Sequence, residues 1–155
     1  YAFADFINPA GAESAIRYRQ SFVPSSWRTG PHVIVAIWVV CADTDEEARR
    51  LASSATMAFT LLHQGELIPI PTVERAVRFL EEDGLRTDTS AGVLAFRPPR
   101  RRRVVGTPDR VRAGIEQVVT QYGADEAMVV TITHDHEARR RSYELLAHEF
   151  GLDRG

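Results

Sequence analysis

A chain of 155 residues, 44% hydrophobic and 26% charged, has the apolar material for one core and the composition of an ordinary soluble domain. A formal net charge of -2 excludes a surface built throughout for polyanions, so any basic site is local. The single Cys41 excludes an intrachain disulfide and no apolar run reaches membrane-spanning length, which together suit a reducing cytoplasm and no membrane partner.

In chain order, "YAFADFI" (1–7) reads as a strand already under way, a start that suggests truncation, and Asn8-Pro9 halts it. Ala12, Ala15, Ile16, Phe22 and Val23 then give a moderately apolar helical stripe, interrupted at Arg19 and closed by Pro24-Ser25-Ser26. Residues 33–40, "VIVAIWVV", are apolar without polar alternation, as a strand buried on both faces of a parallel sheet requires. Thr44-Asp45-Glu46-Glu47 has capping-box spacing, and the following helix has Ala48, Leu51, Ala52, Ala55, Ala58, Phe59 and Leu62 on its apolar face, with Gly65 at its end.

Residues 66–105 are the least regular part. They contain "ELIPIPT", a short helix predicted over Val73–Glu82, "DGLRTDTSAG" and "PPRRRR"; Phe79, Leu80, Leu94 and Phe96 anchor the stretch as an insertion, with a lid or flap as its expected role. Thr107 is positioned as an N-cap, Pro108 suits the first helical position and Asp109 complements the helix dipole. Val111, Ile115, Val118, Val119 and Tyr122 make that helix's buried stripe, and Gly123 caps it. "EAMVVTIT" (126–133) is a third strand, and a final helix turns Tyr143, Leu146 and Phe150 inward before Gly151. The order strand, helix, strand, helix, insertion, helix, strand, helix implies an α/β fold with a parallel sheet and right-handed crossovers.

In that order, "YAFADFINP", "YRQSFVPS", "VCADTDEEARRLA", "VVGTPDRVRAGIEQVVTQYGADEAMVVT" and "DHEARRRSYELLA" resemble the carboxy-terminal portion of the bacterial luciferase-like flavin-dependent oxidoreductases, over nearly the whole chain and least across 66–105. The resemblance implies a TIM barrel, FMN or in some branches a deazaflavin, and monooxygenase or oxidoreductase chemistry on a small organic substrate. Strand 1–7 would then be the sixth barrel strand, 33–40 the seventh and 126–133 the eighth. A full barrel takes about 250 residues, so the expectation is a partial (β/α)8 barrel of about three βα units, one domain over 1–155 with 66–105 inserted. Much of the family's flavin-phosphate grip precedes its sixth strand, so tight FMN binding by this chain alone is not expected. The alternative is a self-associating module of βα units without catalysis, joined as a homo-oligomer through open sheet edges.

Barrel chemistry sits where strands end, which selects few residues. Asp5 and His134 are the catalytic candidates; Phe6, Asn8 and Thr133 are the cofactor-binding candidates. Relatives often carry histidine or a small polar residue where this chain has Asp5-Phe6. For Asp5 the structural alternative is an Arg partner or a solvated strand end. His134 and His136 lack a third ligand at metal spacing, and Asp135 fits the N-cap of the last helix. Cys41 reads as a small buried hydrophobe. Arg100 to Arg103 lack interleaved aromatics and a nucleic-acid motif, in a chain whose nineteen basic residues are all Arg, so a solvated loop is expected and no nucleic-acid partner. "GTPDRV" has a helix start's exposed N–H groups but no multiple-glycine loop, so it reads as a structural cap in preference to a phosphate site.

Overall fold

The computed structural model describes residues 1–8, 10–89 and 103–152. Pro9, Leu94, Phe96, Pro98, Pro99 and Arg100 to Arg102, which carried expectations above, lie outside the described residues. The elements are β1 (Ala2–Ala4), α1 (Gly11–Ser21), β2 (Ile34–Cys41), α2 (Asp45–His63), α3 (Val73–Thr89), β3 (Val104–Gly106), α4 (Pro108–Tyr122), β4 (Glu126–Val130) and α5 (His136–Glu149).

The sheet is parallel and organised around β2. Ala2 lies opposite Ile34 at the start of the β1 pairing, Ile34 to Trp38 pair with Glu126 to Val130, and Val39 to Cys41 pair with Val104 to Gly106. That explains the unbroken apolar sequence of β2: both its edges are hydrogen-bonded and both its faces carry side chains into packed layers. On one face Val33, Val35, Ile37, Val39 and Cys41 meet Ala15 of α1, Val111, Ile115, Val118 and Tyr122 of α4, and Leu146 of α5. On the other, Trp38, Val40 and Ala42 meet Ala48, Leu51, Ala52 and Ala55 of α2.

The first strand is shorter than predicted because the Ala4 carbonyl accepts from the N–H groups of both Ile7 and Asn8, at 3.0 Å each, which curls the chain into a turn. β4 stops at Val130 because the next N–H, of Thr131, donates to the Tyr143 hydroxyl at 3.1 Å. Tyr143 is therefore not inward as predicted; Ser142 is, its Oγ accepting from the Cys41 N–H at 2.9 Å. The strand β3 was not predicted, since three residues are too few to show a period. The helix predicted over Val73–Glu82 continues to Thr89, and Ala76 packs on Met57 and Leu61 of α2.

The stripe on α1 is rotated from its prediction: Ile16 and Val23 are exposed, while Ala15 is buried and Tyr18 packs against the core. Arg19 lies on this inner side because its guanidinium reaches the Gly123 carbonyl and the Asp125 carboxylate, so the polar interruption is a tether. Thr44 caps α2 by accepting from the Glu47 N–H at 3.2 Å, whereas the Glu47 carboxylate turns to Arg50 and leaves the capping box half-made. Thr107 occupies the N-cap position of α4, but its hydroxyl makes no cap bond; it donates to Asp109 at 2.6 Å. Gly123 ends α4 at φ 55°, a left-handed conformation that favours glycine.

Candidate functional site

In a parallel α/β sheet the loops beyond the strands' carboxyl ends are where ligands bind. Here those ends carry Asp5 and Phe6 after β1, Cys41 and Ala42 from β2, Gly106 from β3, and the segment Thr131 to His134 after β4. Phe6, Ile132 and Val105 pack against the layer of Trp38, Val40 and Ala42, so all four strands contribute at this end. Phe59 meets Trp38 edge-on with ring centroids 5.3 Å apart, and the Arg103 guanidinium lies 5.9 Å from the Trp38 ring centroid. Arg103 also donates to the Thr56 hydroxyl, which fixes it against α2. The one described member of the arginine run is exposed yet tied to the strand-end layer.

Asp5 is 0% exposed, and its N–H donates to the Ala36 carbonyl at 3.0 Å. A carboxyl enclosed at a strand end is not the solvent contact that the sequence left open. Phe6 is half-buried in the Trp38 layer. Thr133 is buried with its hydroxyl 3.4 Å from the Leu51 carbonyl, which ties the end of the β4 segment to α2.

Asn8 separates from this group: its Oδ1 accepts from the Ala10 N–H at 3.2 Å and its carbonyl accepts from the Tyr122 hydroxyl at 3.2 Å, so it builds the turn into α1. His134 is exposed on a groove of about 350 Å³ lined in part by Glu47, Arg50, Glu74 and Asp135. Asp135 caps α5 as expected, accepting from the Ala138 N–H at 2.7 Å, and His136 lies 2.8 Å from Arg139. Burial, aided by Asp43 and Glu149, pushes the Cys41 thiol up to about 11, which agrees with an inert buried residue.

Trp38, 2% exposed, was not singled out from the sequence, although period-two alternation places it on one face with Val40. Its indole N–H finds no acceptor among the described residues. The fit of these residues to a flavin mononucleotide is poor. The Trp38 layer is filled by its own side chains, and a cavity of about 480 Å³ lies between α2 and α3, lined by Glu46, Glu74 and Glu81 together with Arg50, Arg78 and Val77. Its three carboxylates outnumber its two guanidinium groups, and Arg50 is already paired with Glu47 and Glu74, so the lining offers a phosphate dianion no net positive charge.

No family model matches the chain. It is 37% identical over 153 residues to the uncharacterized protein YwcH of Bacillus subtilis, covering 97% of this chain and 44% of that protein. It is 30% identical over 150 residues to a luciferase-like monooxygenase of Escherichia coli, covering 94% of this chain and 42% of the relative. The crystal structure of apo-MsnO8 superposes with a TM-score of 0.80 at 34% identity, over 98% of this chain and 45% of that one. The chain thus spans less than half the length of the relatives it matches.

Proposed function

We propose that this chain, which is 30% identical to a luciferase-like monooxygenase over 94% of its own length, is the carboxy-terminal part of a (β/α)8-barrel monooxygenase or related oxidoreductase of that kind that uses FMN on a small organic substrate, and that it is inactive by itself. The observation that carries the reading is the gathering of all four strand ends on the Trp38 layer under α2. Such an arrangement would form one wall of a barrel mouth; Asp5 and Thr133 are buried at the ends of their strands and His134 is exposed.

In the complete protein the flavin would supply the redox chemistry, while this chain's residues shape the mouth and exclude water. Asp5 is the proposed acid, base or substrate acceptor; Phe6 and Thr133 are proposed walls, Asn8 a support for the loop after β1, and His134 an outer proton donor or acceptor. Barrel closure needs about eight strands and the described residues of this chain supply four, so the flavin cradle is assigned to residues outside it. A cytoplasmic setting belongs to the same reading. Titration of FMN onto the 155-residue chain, followed by flavin fluorescence, is expected to give no stoichiometric binding; tight one-to-one binding would refute the reading.

A second reading, the self-associating module, is favoured by one observation. Met128 is 54% exposed on the sheet face that also carries the half-buried Ile34 and Ala36, and β1, β3 and β4 each pair only with β2 among the described residues. Open strand edges and an apolar face promote association. Sedimentation at increasing concentration is expected to show oligomers, and a monomer throughout would remove this reading.

A further inference from the structure

The loop 22–31, which leads from α1 into β2, holds an indole in water. Trp27 is 94% exposed, and Val23 and Arg28 of the same loop are exposed with it. Its turn is closed from within: the Ser25 N–H donates to the Arg28 carbonyl at 2.9 Å, and the Ser25 hydroxyl accepts from the Trp27 N–H at 3.3 Å. A large apolar ring on a fixed turn loses little freedom when a partner covers it. Arg28 is the one charged residue of the loop, and it makes no ion pair among the described residues.

A complement to this knob exists on the same chain. The groove of about 480 Å³ between α2 and α3 falls in the range of about 300 to 1,000 Å³ that holds a small ligand, which is ample for one indole. Val77 and the aliphatic stems of Arg50 and Arg78 give the ring an apolar seat. Arg50 is taken up by Glu47 at 3.0 Å and Glu74 at 3.4 Å. Glu46 and Glu81 are exposed and make no ion pair among the described residues, and Arg78 is the cation set against them. Two carboxylates facing one guanidinium leave a negative charge, which one incoming guanidinium balances.

The topology separates knob from groove. The loop precedes the amino end of β2, whereas α2 starts just beyond its carboxyl end, and eight strand residues at about 3.3 Å each span about 26 Å. A chain therefore cannot fill its own groove. We infer that Trp27 and Arg28 of one copy dock into the α2–α3 groove of a second copy, with the indole on Val77 and the guanidinium between Glu46 and Glu81. A formal net charge of -2 sets little repulsion against such pairing. The contact joins two different surfaces, so it is head-to-tail and repeats from copy to copy. It rests neither on the barrel reading nor on pairing through open strand edges.

Sedimentation of the 155-residue chain at increasing concentration, with tryptophan emission read on the same samples, tests the contact. Wild type is expected to grow past the dimer while its emission moves to shorter wavelength, since Trp38 is buried already and Trp27 is the ring that leaves water. Trp27→Ala is expected to raise the dissociation constant about 30-fold, as loss of a central aromatic anchor does. Glu46→Arg with Glu81→Arg, which reverses the groove's charge, is expected to raise it about ten-fold. Each variant keeps one of the two surfaces, so a one-to-one mixture is expected to form pairs that neither forms alone, and nothing larger. All three positions are exposed, and an unchanged denaturation midpoint confirms that each variant folds. The proposal is overturned if wild type stays monomeric, if association survives Trp27→Ala unchanged, as pairing through strand edges would, or if the mixture forms no pairs. An emission maximum that does not move as wild type assembles overturns it without recourse to any variant.

Discussion

On one face of β2, Val33, Val35, Ile37, Val39 and Cys41 are sealed under α1, α4 and α5; on the other, α2 seals Trp38 and Val40 while Ile34 and Ala36 remain half-buried beside the exposed Met128. The same strand, with the same kind of residue at every position, is thus finished on one side and covered only toward its carboxyl end on the other. A β-branched apolar residue in a strand states that a face can be buried, and which element buries it is a property of the packing. In the barrel reading the half-covered face is the interior side, left to be filled by strands from elsewhere.

The largest expected effect lies on the sealed face. Ile37→Ala removes a fully buried side chain among three helices and is expected to cost about 3 kcal/mol, read as a lower denaturation midpoint with unchanged slope. Next is Gly114→Ala, where a new Cβ would stand 2.5 Å from Val104 Cγ1 and wedge α4 away from β3; overpacking of this kind costs about 2 kcal/mol, measurable in the same titration. Asp135→Ala deletes the cap of α5, with an expected loss of about 1 kcal/mol that Asp135→Asn largely restores. On the half-covered face, Met128→Gln is expected to change stability by less than about 0.5 kcal/mol while weakening any self-association in sedimentation. A loss at Met128 as large as at Ile37 would show that the two faces are equally covered and break the comparison. The thiol sharpens it from another side: Cys41 is expected to resist alkylation at about pH 8 until the chain unfolds, because its burial disfavours the thiolate.

The elements that the sequence announced clearly were those with a long period or a local chemical cause. The stripe of Val111, Ile115, Val118 and Tyr122 is buried as predicted, Gly123 takes the left-handed cap, and Asp135 caps α5. Misreadings occurred where a side chain's partner is remote in sequence. Arg19 interrupts an apolar stripe and yet belongs on the inner face, because Asp125 waits there 106 residues away. Tyr143 reads as core and instead sits at the surface with its hydroxyl on the Thr131 N–H, giving the inward position to Ser142. Of the candidate site, Asp5, Phe6 and Thr133 were legible from strand position, whereas Trp38, Phe59 and Arg103 meet only through tertiary contact.

By itself the amino-acid sequence determined the α/β alternation, the two-sided apolar character of β2, the helix ends at Thr44, Gly123 and Asp135, and the kinship with luciferase-like proteins, because each is written in residues close together along the chain. Only the tertiary structure decided that β3 joins the sheet, that Asn8 turns away from Phe6, that Asp5 is enclosed, and that His32 meets Asp125 and Glu126. The physical reason is range: hydrogen-bond periodicity and capping act within a few residues, whereas burial and charge pairing depend on which distant segments the folded core brings into contact.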